Sequence, residues 1–85
     1  MPTNLKKYSA NNTELIAVGG VFPWTISAAT HGISQPLVVQ LFEVASGAQV
    51  IADVVVTSTN ITIQINDSTN VNTLTANTYK VVIIG

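Results

Sequence analysis

The sequence predicts a small all-β domain, an antiparallel β-sandwich of roughly five to seven strands. Short segments rich in β-branched residues recur along the chain, and each is closed by Gly, Pro, Ser or Asn. Ile61, Ile63 and Ile65 alternate with Thr62 and Gln64, the pattern of a strand with one buried face. No helical period of useful length is visible. Together these observations favour two packed antiparallel sheets.

The first twelve residues, MPTNLKKYSANN, are polar and follow no period. We expect them to form a flexible N-terminal arm, followed by the β-domain over residues 13–85. A frayed terminus is the simplest interpretation of such an arm. The functional alternative is a docking peptide that anchors the chain to another protein through Leu5, Lys6, Lys7 and Tyr8.

The β-domain is expected to begin with a short strand within Thr13–Val18. Val21–Ser27 predicts the next strand, and Pro23 places it at a sheet edge or at the strand's entry, because proline cannot donate to a ladder. Trp24 and Ile26 share one face of this strand. We therefore favour a core position for Trp24.

Ala28–Pro36 is predicted to be a loop, since it contains Gly and Pro among polar residues. The strand that follows, Leu37–Val44, is apolar on both faces. One face carries Leu37, Val39 and Leu41, and the other carries Val38, Phe42 and Val44, interrupted only by Gln40. Such a strand must be covered on both sides, either within the fold or by a partner subunit.

The second half of the chain continues with Gln49–Thr57 as one strand, joined to the previous one by the hairpin Ala45–Ala48. Ser58–Asn60 predicts a tight turn. Asn66–Asn77 is a long polar connection, and Tyr79–Ile84 is a closing strand that is again apolar on both faces.

Composition indicates self-association. Of the 85 residues, 47% are hydrophobic and only 8% are charged, whereas an average domain has roughly 25% charged residues. Cysteine is absent, so no disulfide stabilises this small domain. A closed homo-oligomer would hide the surplus apolar faces. The predicted contact residues are Val38, Phe42, Val44, Val82 and Ile84.

Several partner classes are not expected. The formal net charge is -1, and only Lys6 and Lys7 are adjacent, so the chain has no basic patch for nucleic acid. The longest aliphatic run, Val81–Ile84, is far too short to span a membrane. No secretory signal is visible, and we expect an intracellular product. With one His and no Cys, neither a metal nor a cofactor is predicted.

Catalysis has few candidates. His31 is the one side chain suited to acid–base chemistry near neutral pH, but no carboxylate lies near it in sequence. We expect its ring to tie the loop by hydrogen bonds. Glu43 and Asp53 could pair with each other or with Lys80 across the sheet. Asp67 lies in a segment that does not match the spacing of a calcium loop. The sequence therefore predicts no enzyme.

The aromatic residues make a carbohydrate-binding module the alternative function. Flat aromatic faces can stack on sugars, and Tyr8 and Tyr79 are the candidate glycan contacts. A carbohydrate-binding or adhesin-type receptor-binding module would expose such side chains and would bind a host-surface glycan.

The order of elements resembles small β-sandwich domains of tailed-phage virion appendages, such as head-fibre and tail-fibre tips and decoration proteins. The likeness covers Trp24 to the C-terminus. The His31–Ile33 turn and the Phe42-Glu43 pair depart from the commonest pattern of these domains. The segments that carry it are Trp24-Thr25-Ile26, His31–Ile33, Leu37–Val44, Ser46-Gly47, Asp53–Val56, Asn60–Ile63 and Tyr79–Ile83.

This resemblance implies a non-enzymatic bacteriophage structural protein, assembled in the host cytoplasm and located in the virion. It implies a trimer that decorates a shell or caps a fibre and attaches to other virion proteins. It carries over no catalytic residue. A complete small decoration protein and a fibre tip both fit the pattern.

Overall fold

The computed structural model describes residues 6–66 and 72–85. It confirms the small all-β fold. Leu5 of the predicted anchoring arm and Asp67 lie outside the described residues. In the described residues the elements are β1 (Lys7–Asn11), β2 (Leu15–Ile16), β3 (Phe22–Ser27), α1 (Ala28–His31), β4 (Val38–Glu43), β5 (Gln49–Val50), β6 (Asp53–Val56), β7 (Asn60–Ile65), β8 (Thr73–Leu74) and β9 (Tyr79–Ile84).

The strands form two main antiparallel sheets. The first has four strands in the order β1-β9-β4-β5, and the second has three in the order β3-β7-β6. A two-stranded ribbon joins β2 to β8. As Pro23 indicated, β3 lies at an edge of the second sheet.

One hydrophobic core lies between the two main sheets. The second sheet contributes alternate residues of β3 and β7, because successive side chains of a strand point to opposite faces. Trp24 is buried there, as the sequence indicated, and Ile61, Ile63 and Ile65 are at most 1% exposed. The first sheet contributes Leu41 of β4 together with Tyr79, Val81 and Ile83 of β9.

The N-terminal arm differs from the prediction. Lys7–Asn11 is not a free arm but the edge strand β1, which pairs with five of the six residues of β9, from Lys7 opposite Ile84 to Asn11 opposite Lys80. The backbone of Lys6 exchanges two hydrogen bonds with Gly85, at 2.8 and 3.0 Å. The inward side chains Tyr8 and Ala10 pack against the core. This burial holds the segment in place, although its sequence is largely polar.

The segment Gln49–Thr57 is also not a single strand. Gln49–Val50 forms β5 in the first sheet, whereas Asp53–Val56 forms β6 in the second. The chain passes between the two sheets at Ile51 and Ala52. This link closes one side of the sandwich and leaves the Ile51 side chain 98% exposed.

The predicted loop Ala28–Pro36 contains one turn of helix, α1. The Ser27 hydroxyl caps its first turn by accepting from the Thr30 N–H at 3.2 Å. Gly32 ends it in the left-handed conformation, with φ of 67°. Four residues are too few to produce a helical period in the sequence, which is why the pattern indicated only a loop.

Candidate functional site

The outer face of the first sheet carries several apolar side chains. Residues of β4 and β9 that alternate with the core residues point outward, away from the second sheet. In the register of these strands, Val38 lies opposite Ile84 and Gln40 lies opposite Val82. The two central strands therefore present mainly apolar side chains to solvent.

We call this surface the apolar face. It consists of Val38, Phe42, Val44, Val82 and Ile84, the five residues that the sequence nominated for a subunit contact. Val38 is 57% exposed and Val44 43% exposed, while the other three are half-buried. A shallow groove of about 440 Å³ is lined by Phe42, Val44 and Val82 together with Asn11, Glu43, Gly47 and Lys80. The structure thus brings the predicted residues together on one face.

Positive and neutral polar side chains border the apolar face. Lys7, Ser9 and Asn11 of β1 are exposed and lie in register with Ile84, Val82 and Lys80 of β9. Lys80 is exposed between Asn11 and Phe42 in the same row. This border contains two of the three cationic side chains of the protein.

The outer face of the second sheet is more polar, although Val55 of β6 is 56% exposed on it. Thr25 lies opposite Thr62 and Pro23 opposite Gln64, and the two threonine hydroxyls are 3.4 Å apart. Asn60 and Ser27 continue the polar row. Hydroxyl and amide groups stay hydrated at a surface, so exposing this face to solvent costs less free energy than exposing the apolar face.

His31 has the structural environment that its loop position indicated. It is buried, and its Nδ1 accepts a hydrogen bond from the Ile33 N–H at 2.9 Å. The ring borders an open cleft of about 410 Å³, where its neighbours carry apolar, hydroxyl or amide side chains. Nδ1 is thereby engaged by the backbone and is not available as a base.

The two acidic residues of the central strands lie in different sheets. Glu43 is in β4, and its Oε1 accepts from the Ser46 hydroxyl at 2.6 Å. Asp53 is in β6, opposite Gln64. The suggested Glu43–Asp53 pair across one sheet is therefore wrong, because the chain changes sheets between these residues.

The aromatic candidates for sugar stacking separate into two groups. Tyr79 is 7% exposed in the core, so its assignment as a glycan contact is wrong. Tyr79 faces opposite to Val82 and Ile84 in β9, and its face is the one that meets the second sheet. Tyr8 is half-buried and lines an open cleft of about 460 Å³ with Trp24.

Within the described residues, no group of three or more His, Cys, Asp or Glu side chains could hold a metal ion. No helix in those same residues is long and apolar enough to cross a membrane.

Sequence analysis missed a second exposed apolar region, at the link between β5 and β6. A groove of about 180 Å³, which we call the side groove, is bordered there by Val39, Leu41, Val50, Ile51, Ala52 and Val54 together with Gln40 and Gln49. Ile51 is 98% and Val54 36% exposed. The sequence could not reveal this groove, because it depends on where the chain changes sheets.

Comparison of the chain with protein-family models, with curated proteins and with solved structures found no match.

Proposed function

We propose that this protein is a non-enzymatic structural protein that works by assembling with copies of itself, with the apolar face as part of the subunit contact. The observation that carries the proposal is the contrast between the two outer faces. The outer face of the second sheet carries mainly Thr, Gln and Asn, with Val55 as an exposed apolar exception, whereas the central strands of the first sheet present mainly Val, Ile and Phe. Contiguous exposed apolar residues often mark a surface that contacts another protein.

The free energy gained by burying apolar side chains supports a subunit contact at the apolar face. Covering an exposed Val, Ile or Phe side chain completely contributes roughly 1.5–3 kcal/mol. The apolar face offers five such residues, two of them more than 40% exposed in the monomer. Their partial coverage would offset part of the cost of lost translational and rotational freedom, which is about 4–15 kcal/mol.

Within this proposal, the context is a bacteriophage virion, in which the protein forms a trimer that decorates the shell or caps a fibre. The support is the order of sequence segments from Trp24 onward, which resembles appendage domains. Attachment to another virion protein would then involve the exposed residues Lys6 and Lys7. Because β1 is part of the sheet, such a contact would use a formed strand edge rather than a free arm.

The test is the mass of the protein in solution, measured by sedimentation velocity across the micromolar range. We expect the unchanged chain to be oligomeric and Val38→Asp to be monomeric, because the new carboxylate would be desolvated in the contact. Thr25→Asp places the same charge on the polar outer face and is the matched control, expected to stay oligomeric. A monomeric unchanged chain at tens of micromolar would overturn the proposal.

A carbohydrate-binding or adhesin-type module is the second candidate, and one observation favours it. Tyr8 lines the cleft between β1 and β3 together with the hydroxyl-bearing residues Thr13, Thr25 and Thr30. Aromatic faces and hydroxyl groups are the partners that a neutral sugar uses. A glycan array with the unchanged chain and with Tyr8→Ala tests this. Binding that the substitution abolishes would support it, and absence of any bound glycan would exclude it.

A further inference from the structure

The free edge of β6 is a feature that the subunit contact proposed above does not explain. β6 ends the second sheet, and in the part of the chain that the structure describes no strand pairs with its other side. Its sequence is Asp53-Val54-Val55-Val56, and the first three of these residues are exposed. An apolar edge of this kind presents unpaired backbone groups to which another strand can be added.

The backbone groups of Val54 and Val56 point to this free edge. In an antiparallel ladder, pairs of residues that exchange hydrogen bonds alternate with pairs that do not. The Thr57 N–H donates to the Asn60 carbonyl at 2.8 Å, which makes Val55 the next β6 residue bonded to β7. Val54 and Val56 fall in the intervening pairs, so their N–H and C=O groups are directed away from β7.

The side chains at this edge are apolar on both faces of the sheet. Val55 is 56% exposed on the mainly polar outer face, where it lies opposite Thr62. Val54, on the inner face, is 36% exposed and borders the side groove. Apolar side chains therefore accompany the unpaired backbone groups on either side of the strand.

The other edges of the two main sheets are less suited to pairing with a further strand. β3 contains Pro23, which has no N–H to donate. β5 has only two residues. β1 is longer, but its exposed side chains are Lys7, Ser9 and Asn11. A charged and polar edge of that kind discourages pairing, so β6 is the favoured edge.

We propose that the β6 edge pairs, antiparallel, with the β6 edge of a second copy of this chain, so that the second sheets of the two copies join into one continuous sheet. The argument for a second copy is that this edge is complementary to itself. A two-fold pairing centred on Val55 places Val54 of each copy opposite Val56 of the other, and these are the residues whose backbone groups point outward. It also brings the two Val55 side chains together on the outer face, and such cross-strand apolar pairs are stabilising.

The same register keeps the acidic side chains apart. Asp53 of each copy lies opposite Thr57 of the other, four residues along the strand from the second Asp53. At about 3.3 Å per residue this separation is roughly 13 Å, which exceeds the Debye length of about 8 Å at physiological ionic strength. The two carboxylates therefore repel one another little in this pairing.

The contact goes beyond the proposed function and uses a different surface, because the apolar face lies on the first sheet. Few backbone bonds offset the freedom lost on association, so we expect single copies to pair weakly, with a Kd of about 1 mM. A larger assembly that presents several β6 edges in matching orientation would pair more tightly, because its contacts form together. The β6 edge would then join assemblies that the apolar face has built.

The experiment examines the edge in Val38→Asp, the variant that lacks the apolar contact and is expected to be monomeric in the micromolar range. Amide NMR spectra recorded between about 0.1 and 2 mM bracket the expected Kd. We expect the amide signals of Val54 and Val56 to shift with concentration, and their exchange with water to slow by about twofold. The amide of Val55 already bonds β7, so its exchange should not change.

A charge at the centre of the edge provides the matched test in the same background. Val55→Lys sets two like charges opposite each other in the two-fold pair, and its position is exposed, so the monomer should still fold. We expect the concentration dependence at Val54 and Val56 to disappear. Thr25→Lys places the same charge on β3, at the other edge of this sheet, and should leave the concentration dependence intact.

The outcomes separate this contact from the proposed function. Signals of Val54 and Val56 that stay constant across the concentration range, or that still shift in Val55→Lys, would overturn the two-fold pairing. Simultaneous shifts of the β1 amides would mean that β6 pairs with a different edge, which also overturns it. If the unchanged chain is monomeric at tens of micromolar, the proposed function fails, but this contact is still decided by the NMR spectra. Should Val38→Asp fail to fold, Val38→Ser replaces it as the background.

Discussion

The side-chain oxygen of Asn12 accepts a hydrogen bond from the backbone N–H of Tyr79 at 2.8 Å, which joins the end of β1 to the start of β9. The same oxygen accepts from the Thr78 N–H at 2.9 Å, and the amide nitrogen donates to the carbonyls of Thr13 and Thr75. Asn12 is only 2% exposed. One buried amide thus satisfies four backbone groups from two distant parts of the chain.

Replacing this amide should destabilise the fold. Asn12→Leu removes the acceptor from the N–H groups of Thr78 and Tyr79 and the donor from two carbonyls. An unsatisfied buried polar group costs about 1–3 kcal/mol, so we expect a loss of roughly 2–4 kcal/mol in the free energy of unfolding. Urea unfolding followed by Trp24 fluorescence measures it.

The neighbouring residue provides the control. The Asn11 side chain bonds Asn77 at 3.2 Å at an exposed position. Asn11→Ala should therefore change stability by no more than about 0.5 kcal/mol. Equal losses for the two variants would contradict the assigned role of Asn12.

His31 should be replaceable by a residue that keeps an acceptor near the position of Nδ1. His31→Asn retains a side-chain oxygen that can accept from the Ile33 N–H, whereas His31→Leu leaves that buried N–H without its acceptor. We expect the Leu variant to be less stable than the Asn variant by about 1–3 kcal/mol in thermal unfolding. A Leu variant as stable as the Asn variant would show that the hydrogen bond is unimportant.

The two faces of the sheets can be distinguished by a pair of substitutions. Ile63→Asp places an uncompensated charge at a site with 0% exposure, and we expect a loss of several kcal/mol or failure to fold. Gln40→Leu adds an apolar side chain on the outer face opposite Val82, where it should be tolerated. Melting temperatures from circular dichroism measure both effects, and similar values would mean that the face assignment is wrong.

Gln40→Leu has a second expected effect. It fills the one polar gap in the row of outward side chains on β4, so it should strengthen self-association of the chain. Sedimentation at several concentrations would show this as a lower dissociation constant. A weaker assembly would indicate that Gln40 contributes hydrogen bonds at the subunit contact.

The local pattern of the chain was enough to predict which residues share a strand face. Side chains alternate between the two faces of any extended backbone, so the grouping of Val38, Phe42 and Val44 needed no knowledge of distant residues. For the same reason, the strict alternation around Ile63 was sufficient to identify a half-buried strand.

The sequence by itself determined the all-β class, the main extended segments and the residues that share each face, because these follow from local backbone geometry. Tertiary structure decided the pairing of β1 with β9, the change of sheet at Ile51, and the inward position of Tyr79. Each of these depends on contacts between residues far apart in the chain or on which of two apolar faces meets the other sheet. Local alternation cannot specify such choices, because both outcomes satisfy it equally.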